Sequence, residues 1–232
     1  SGKVPPQKIQ TPERYWRARD EYIARFRSLI GPAEIAIVIR RQDQFAESMY
    51  QEQIKVTRHS LDFADFLENF WFHFDYTAQV RAWKKHFSTI HIIPFDRIKG
   101  DDITGSFLNH IGIDLPIAPS SEAKNVSMPH DGVILKRHLN KSDLPDSLLA
   151  RAADILVSPA FRAQLPAIRR SFFASEDARR NFLSSYDATN AELAAMAGLA
   201  ADDLFESKVA KSLHYGDQLP PAEMDRLLAL LG

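Results

Sequence analysis

The feature that most constrains the fold of this chain is an unbroken apolar run, Ile35–Ile39, that ends at two arginines. Five aliphatic residues, mostly β-branched, are enough for a strand and too few for a helix. A strand without polar alternation is typical of a parallel sheet covered by helices, so we expect this run to be buried on both faces. Asp43 then opens a segment with Phe45, Met49 and Val56 at helical spacing. The order strand, charged turn, helix indicates an α/β protein.

The junction between this strand and the next helix is a candidate anion site. Arg40 stands at the carboxyl end of the strand, and Ser48 follows eight residues later. Ligands of open α/β sheets bind at that edge, and a hydroxyl near a helix start can join an arginine on one phosphate. The alternative is that Arg40 pairs with a neighbouring carboxylate and Ser48 is an ordinary helix residue.

The composition narrows the class of function. Charged residues make up 25% of the chain, hydrophobic residues 45%, and the formal net charge is −1, so we expect a soluble protein that does not bind nucleic acid. There is no cysteine, which excludes disulfides and thiolate zinc sites, and the eight histidines show no metal-ligand spacing. No apolar run approaches the ~20 residues that span a bilayer. We therefore expect a cytoplasmic protein without a bound metal or a membrane span.

Helix signals surround the strands and fill the second half of the chain. A helix capped by Thr11 is expected before the first strand, and a second strand is expected at 89–95. The apolar face of the first helix is predicted to carry Tyr15, Ala18, Tyr22, Phe26 and Leu29. Later helices are predicted at Val133–Asn140, Ser147–Leu156, Pro159–Phe173, Glu176–Met196 and Ala222–Leu231. Two strands do not make a self-sufficient sheet, so further strands are expected in the loops or upstream of residue 1.

Two short motifs resemble the 3′-phosphate-binding strand and helix of sulfotransferases, and most closely those of bacterial sulfotransferase-like proteins. The motifs are Arg40-Arg41-Gln42 and Ser48-Met49-Tyr50. In that family an arginine and a serine at this spacing hold the 3′-phosphate of 3′-phosphoadenosine 5′-phosphosulfate, and the resemblance gives these roles to Arg40 and Ser48. Phe95 stands after the second strand, where the family carries an aromatic residue, most often tyrosine, near the nucleotide.

The resemblance, which extends from about Glu34 to Phe205, implies a fold and a domain organisation. The fold is α/β, with the small parallel sheet of a P-loop NTPase-like sulfotransferase core and a largely helical C-terminal half. A single domain covers 1–232, with an α/β portion at 11–112, a loop at 113–130 and a helical portion at 131–232. The family's glycine-rich loop with a lysine, which holds the 5′-phosphosulfate, has no counterpart in this sequence. The first part of such a domain is therefore expected to be missing.

The function that the resemblance implies is transfer of a sulfuryl group from 3′-phosphoadenosine 5′-phosphosulfate to a hydroxyl of a carbohydrate, lipid or small-molecule acceptor. No residue is assigned as the catalytic base, and His59, close after the Ser48 helix, is the first to test. One alternative is a non-catalytic module of the same fold that acts in protein–protein interaction. Another is a nucleotide kinase, since related folds bind nucleoside phosphates.

Overall fold

The computed structural model describes residues 11–100, 102–115, 126–206 and 213–231. Its helices are α1 (Pro12–Ile30), α2 (Gln42–Val56), α3 (Phe63–Asn69), α4 (Tyr76–Lys84), α5 (Ile103–His110), α6 (His130–Asn140), α7 (Asp146–Val157), α8 (Pro159–Arg162), α9 (Glu176–Ser184), α10 (Asp187–Met196) and α11 (Pro221–Ala229). Its strands are β1 (Ile35–Ile39), β2 (Ile90–Pro94), β3 (Arg170–Ser171) and β4 (His214–Tyr215). The described residues thus form a mostly helical α/β structure with small parallel sheets, which confirms the predicted α/β class.

The chain divides into two compact units that alternate along the sequence. Unit 1 comprises Ser1–Arg41, Glu68–Ser120 and Ser185–Ser207, and unit 2 comprises Gln42–Leu67, Ser121–Ser184 and Lys208–Gly232. Unit 1 contains β1 and β2, and unit 2 contains β3 and β4. The single sulfotransferase-like domain over 1–232 stays a prediction.

The sheet of unit 1 pairs β1 with β2 in parallel, with Ile35 opposite Ile90 and Ile39 opposite Pro94. The second strand therefore lies where the sequence predicted it. The prediction that β1 is buried on both faces is wrong, because Ala36 and Val38 are exposed while Ile39 is buried. Successive side chains of a strand point to opposite faces, so Ala36 and Val38 lie on the face of β1 that the described residues leave exposed.

The core of unit 1 forms where α1 and α4 meet the sheet. Ile23, Ala82 and Phe87 are buried together, and Trp16 and Phe26 pack against them. Helix α1 begins as predicted, since the Thr11 hydroxyl accepts a hydrogen bond from the Arg14 N–H at 3.4 Å. It ends at Gly31, which has a φ of 73°. The predicted apolar face is shifted, however. Tyr22 and Leu29 are exposed, whereas Ile23, which the prediction left out, is fully buried.

Unit 2 is built around α2, whose buried face differs from the predicted one. Ala46, Tyr50 and Ile54 are fully buried, whereas Val56 is 62% exposed. Residues four apart share one face of a helix, so the buried stripe is offset from the predicted positions Phe45, Met49 and Val56. The Tyr50 ring packs at 5.1 Å from each of three phenylalanine rings, those of Phe63, Phe66 and Phe172.

Polar side chains of α6 hold the end of α2 and the segment that follows. Arg137 Nη1 donates to the Tyr50 hydroxyl and to Asp217 Oδ2, each at 2.7 Å. Asn140 Nδ2 donates to the backbone carbonyls of Ile54, Thr57 and His59. Asn140 thus satisfies the carbonyl of the buried Ile54 and two carbonyls just after the helix end.

Two of the predicted helices in the second half are wrong in extent. The one expected at Pro159–Phe173 is the single turn α8, followed by irregular chain and β3. Pro166 lacks an N–H group and so disfavours continuation of the helix. The helix expected at Glu176–Met196 is broken after Ser184 into α9 and α10. The predicted loop at 113–130 lies partly outside the described residues.

Candidate functional site

The carboxyl end of the β1–β2 sheet in unit 1 carries two of the predicted site residues. Arg40 follows β1 directly and Phe95 follows β2, and the parallel register places the last residues of the two strands opposite each other. The guanidinium carbon of Arg40 lies 5.4 Å from the centre of the Phe95 ring. This is within the range of a cation–π interaction, so the structure brings these two side chains together.

The backbone carbonyl of Arg40 is held by a hydrogen bond from α4. The Tyr76 hydroxyl donates to the Arg40 carbonyl at 2.7 Å, and Tyr76 is the first residue of α4, which Asp75 caps. The adjacent Arg41 is buried, and its Nη1 donates to the Glu206 carbonyl at 2.8 Å. The two arginines of the motif therefore differ, because the second ties two segments of unit 1 together.

The third predicted residue lies in unit 2. Ser48 is an exposed residue in the second turn of α2, seven positions into the helix. Its position on a helix that directly follows Arg41 agrees with the predicted strand and helix order. The joint binding of one anion by Arg40 and Ser48 stays a prediction.

Two acidic residues of α2, the buried Asp43 and the half-buried Glu47, were not predicted as site residues. Asp43 is fully buried, and its Oδ2 accepts from Arg179 Nε at 2.7 Å and from Arg179 Nη2 at 2.6 Å. Glu47 Oε1 accepts from the Ser171 hydroxyl at 2.5 Å and from the Phe172 N–H at 3.0 Å. Burial raises the pKa of the Glu47 carboxyl above its ordinary value. The spacing of Asp43 and Glu47 could have indicated this position. Residues four apart lie on the same side of a helix, and these two acids adjoin the apolar stripe that is buried.

A cavity of about 450 Å³ opens beside Glu47 in unit 2. It is lined by Glu47, Gln51, Pro129, His130, Asp131, Arg162, Leu165, Pro166, Ala167, Ile168, Arg169, Arg170 and Phe172. The His130 ring stacks on the Phe172 ring at 4.2 Å, and its Nδ1 lies 3.3 Å from Asp131 Oδ1. The same carboxylate oxygen accepts from Arg170 Nη1 at 3.2 Å. Charged and aromatic groups therefore line one open cavity.

The His59 ring packs edge-on against Tyr50 and Phe66, and burial lowers the pKa of its imidazole below the ordinary value. A role of His59 as the base stays a prediction. Across the described ranges, no group of three or more His, Asp or Glu side chains is arranged to hold a metal ion. Of the helices in those ranges, none is both long and apolar enough to cross a membrane.

Comparisons of the chain with models of known protein families, with curated proteins and with solved structures find no match in any of the three.

Proposed function

We propose that the chain is a sulfotransferase-like protein, with a small P-loop NTPase-like core, that binds 3′-phosphoadenosine 5′-phosphosulfate. The site is the carboxyl end of the β1–β2 sheet. The observation that carries the proposal is the Arg40 guanidinium lying 5.4 Å from the Phe95 ring at this edge. An arginine can pair with a phosphate and an aromatic ring can pack on a nucleoside, and ligands of parallel sheets bind at this edge.

The contact with the ring suits Arg40 for phosphate binding. The planar fork of a guanidinium can donate two N–H groups to two phosphate oxygens while its carbon lies over an aromatic ring. The ring also restricts the rotamers of a long side chain, which lowers the entropy lost on binding. In the proposed complex Arg40 holds the 3′-phosphate, and Phe95 lies near the nucleoside. The role that the resemblance gives to Ser48 stays a prediction.

The proposed reaction transfers the sulfuryl group to an acceptor hydroxyl. The bond from sulfur to the bridging phosphate oxygen breaks, a bond from the acceptor oxygen to sulfur forms, and the hydroxyl proton passes to a base. The second product is 3′,5′-adenosine bisphosphate, which keeps the 3′-phosphate. Because Arg40 would bind a group that does not change in the reaction, its loss should raise the KM for the donor more than it lowers kcat.

The test measures the melting temperature of the protein with and without 3′,5′-adenosine bisphosphate. We expect the bisphosphate to raise the melting temperature and Arg40→Ala to abolish the rise, with a loss of affinity of roughly tenfold to a hundredfold. The variant should still fold, because the Tyr76 hydroxyl bonds the Arg40 backbone and not its side chain. Arg97→Ala is the matched control, since Arg97 is an exposed arginine of the turn that contains Phe95.

A second nucleotide separates the alternatives. Adenosine 5′-monophosphate lacks the 3′-phosphate, so a sulfonucleotide site should bind it much more weakly, whereas a nucleotide kinase should prefer it. A non-catalytic module should show no shift with either ligand. Absence of a shift with 3′,5′-adenosine bisphosphate, or an equal loss in Arg40→Ala and Arg97→Ala, would refute the proposal.

A further inference from the structure

We infer that the cavity of unit 2 is a binding site for a small organic anion, with its charged group on Arg169 and Arg170 and its apolar body against Leu165, Pro166 and Ile168. The ligand class is a phosphate or carboxylate attached to an aromatic or aliphatic group. All the residues that carry this inference belong to unit 2, so it is independent of the site at Arg40.

The charges on the cavity wall favour an anion. Three arginines line it, against the two carboxylates of Glu47 and Asp131, which leaves an excess of 3 − 2 = +1 with histidine neutral. Arg170 is fixed by its contact with the buried Asp131. Arg169 is exposed and forms no ion pair with any carboxylate in the described part of the chain. Its guanidinium is therefore available for a ligand, beside a second arginine that is already held in place.

The remaining wall favours a ligand with an apolar body. Phe172 is almost fully buried and carries the stacked His130 ring on one face, while Leu165, Pro166 and Ile168 line the same cavity. A volume of about 450 Å³ falls within the range of small-molecule sites, which combine apolar walls with a few convergent polar groups. Inorganic phosphate alone would leave the apolar wall without contacts, so an organic anion should bind more tightly.

Glu47 adds a hydrogen-bond acceptor to the site. Its Oε1 accepts from both Ser171 and Phe172, and its Oε2 has no hydrogen-bond partner among the described residues. Two donors on one oxygen fix the carboxyl orientation while the other oxygen remains able to accept. A hydroxyl on the ligand can donate to this oxygen, and such a donor distinguishes a hydroxylated anion from a simple one.

The experiment measures binding by isothermal titration calorimetry with four probes. Phenyl phosphate and benzoate carry the anionic group on an apolar body, inorganic phosphate lacks the body, and phenol lacks the charge. We expect phenyl phosphate or benzoate to bind saturably at millimolar concentration, the preferred one identifying the charged group. Inorganic phosphate and phenol should bind at least roughly tenfold more weakly, since each lacks one of the two complementary parts.

Matched arginine variants locate the site. Arg169→Ala should weaken binding of the preferred probe roughly tenfold or more, because charge-assisted hydrogen bonds are lost. Arg169→Lys should retain part of the affinity. Arg151→Ala, which removes an exposed arginine on α7 that does not line the cavity, should leave binding unchanged. Arg40→Ala should also leave it unchanged, which separates this site from the proposed nucleotide site.

Two results would overturn the inference. One is the absence of saturable binding by either organic anion at millimolar concentration. The other is an equal affinity in Arg169→Ala and Arg151→Ala, which would place any bound anion elsewhere on the surface.

Discussion

The buried ion pair between Asp43 and Arg179 permits the sharpest test of how unit 2 is stabilised. Asp43 is fully buried, the Arg179 side chain is 6% exposed, and two nitrogens of the guanidinium contact the same carboxylate oxygen. We expect Asp43→Ala to lower the free energy of unfolding by about 3–5 kcal/mol, because it leaves a buried guanidinium without its counter-charge.

The direction of the Arg179 pKa agrees with the sign of this effect. Burial disfavours the charged guanidinium, but the charge and hydrogen bond of Asp43, together with smaller effects of Glu47 and Tyr215, raise the pKa of Arg179 above its ordinary value. Without Asp43, the unfavourable effect of burial on the charged Arg179 guanidinium would dominate. The carboxylate also accepts from the Gln44 N–H at 2.8 Å, and loss of this bond adds about 1 kcal/mol.

Urea unfolding, followed by circular dichroism, measures the effect. With a slope of about 2–3 kcal/mol/M, the midpoint should fall by roughly 1–2 M in Asp43→Ala. The double variant Asp43→Ala/Arg179→Met should be more stable than Asp43→Ala alone, since it removes the unpaired charge as well. Arg180→Met is the control, because the exposed Arg180–Glu176 pair should contribute less than about 1 kcal/mol.

A midpoint of Asp43→Ala close to that of the unchanged protein would contradict the reasoning. So would a double variant that is less stable than Asp43→Ala. Either result would mean that water or rearranged side chains solvate Arg179 once its partner is gone.

Two further predictions concern pH. The pKa of Glu47 is raised above 4.5 by burial, so its contribution to stability is present below pH 4.5 and is lost as pH rises through the folded-state pKa. Glu47→Gln should remove this loss of stability, which is measured as the difference between the urea midpoints at about pH 5 and pH 8. The same difference in the variant and in the unchanged protein would contradict the prediction. Burial, with a smaller effect of Arg19, lowers the pKa of His73 to about 4 from 6.5. The free energy of unfolding should therefore fall as pH drops from 6.5 through 4. In His73→Phe, where the new ring would contact Phe70 and Phe72 as the imidazole does, this loss should be smaller. The same loss of stability at acid pH in the variant would refute the prediction.

The parts of the fold that the sequence predicted are those encoded by neighbouring residues. The apolar run Ile35–Ile39 is β1, and Thr11 with its following proline starts α1. The approach of Arg40 and Phe95 could also be expected, because parallel strands bring their carboxyl ends to one edge of a sheet. Such inferences need only a strand, its direction and the residue after it.

The parts that the sequence did not predict depend on residues far apart in the chain. Glu47 bonds Ser171, 124 positions away, and Arg179 is 136 positions from its partner Asp43. Strands of two residues, such as β3, are too short to show alternation. The offset of the α2 face arose because apolar residues occur on two adjacent faces of that helix, and only the packing of unit 2 selects one.

Parallel pairing has a kinetic consequence for this chain. Ile35 and its partner Ile90 are 55 positions apart, and Arg170 and His214 are 44 apart, so neither sheet can grow from a tight hairpin. A long loop must close before the first hydrogen bond between the strands forms. The chain therefore loses the entropy of loop closure before any contact between the strands compensates it. The helices can form locally, and we expect the strands to join late, with their edges unpaired for most of the folding time.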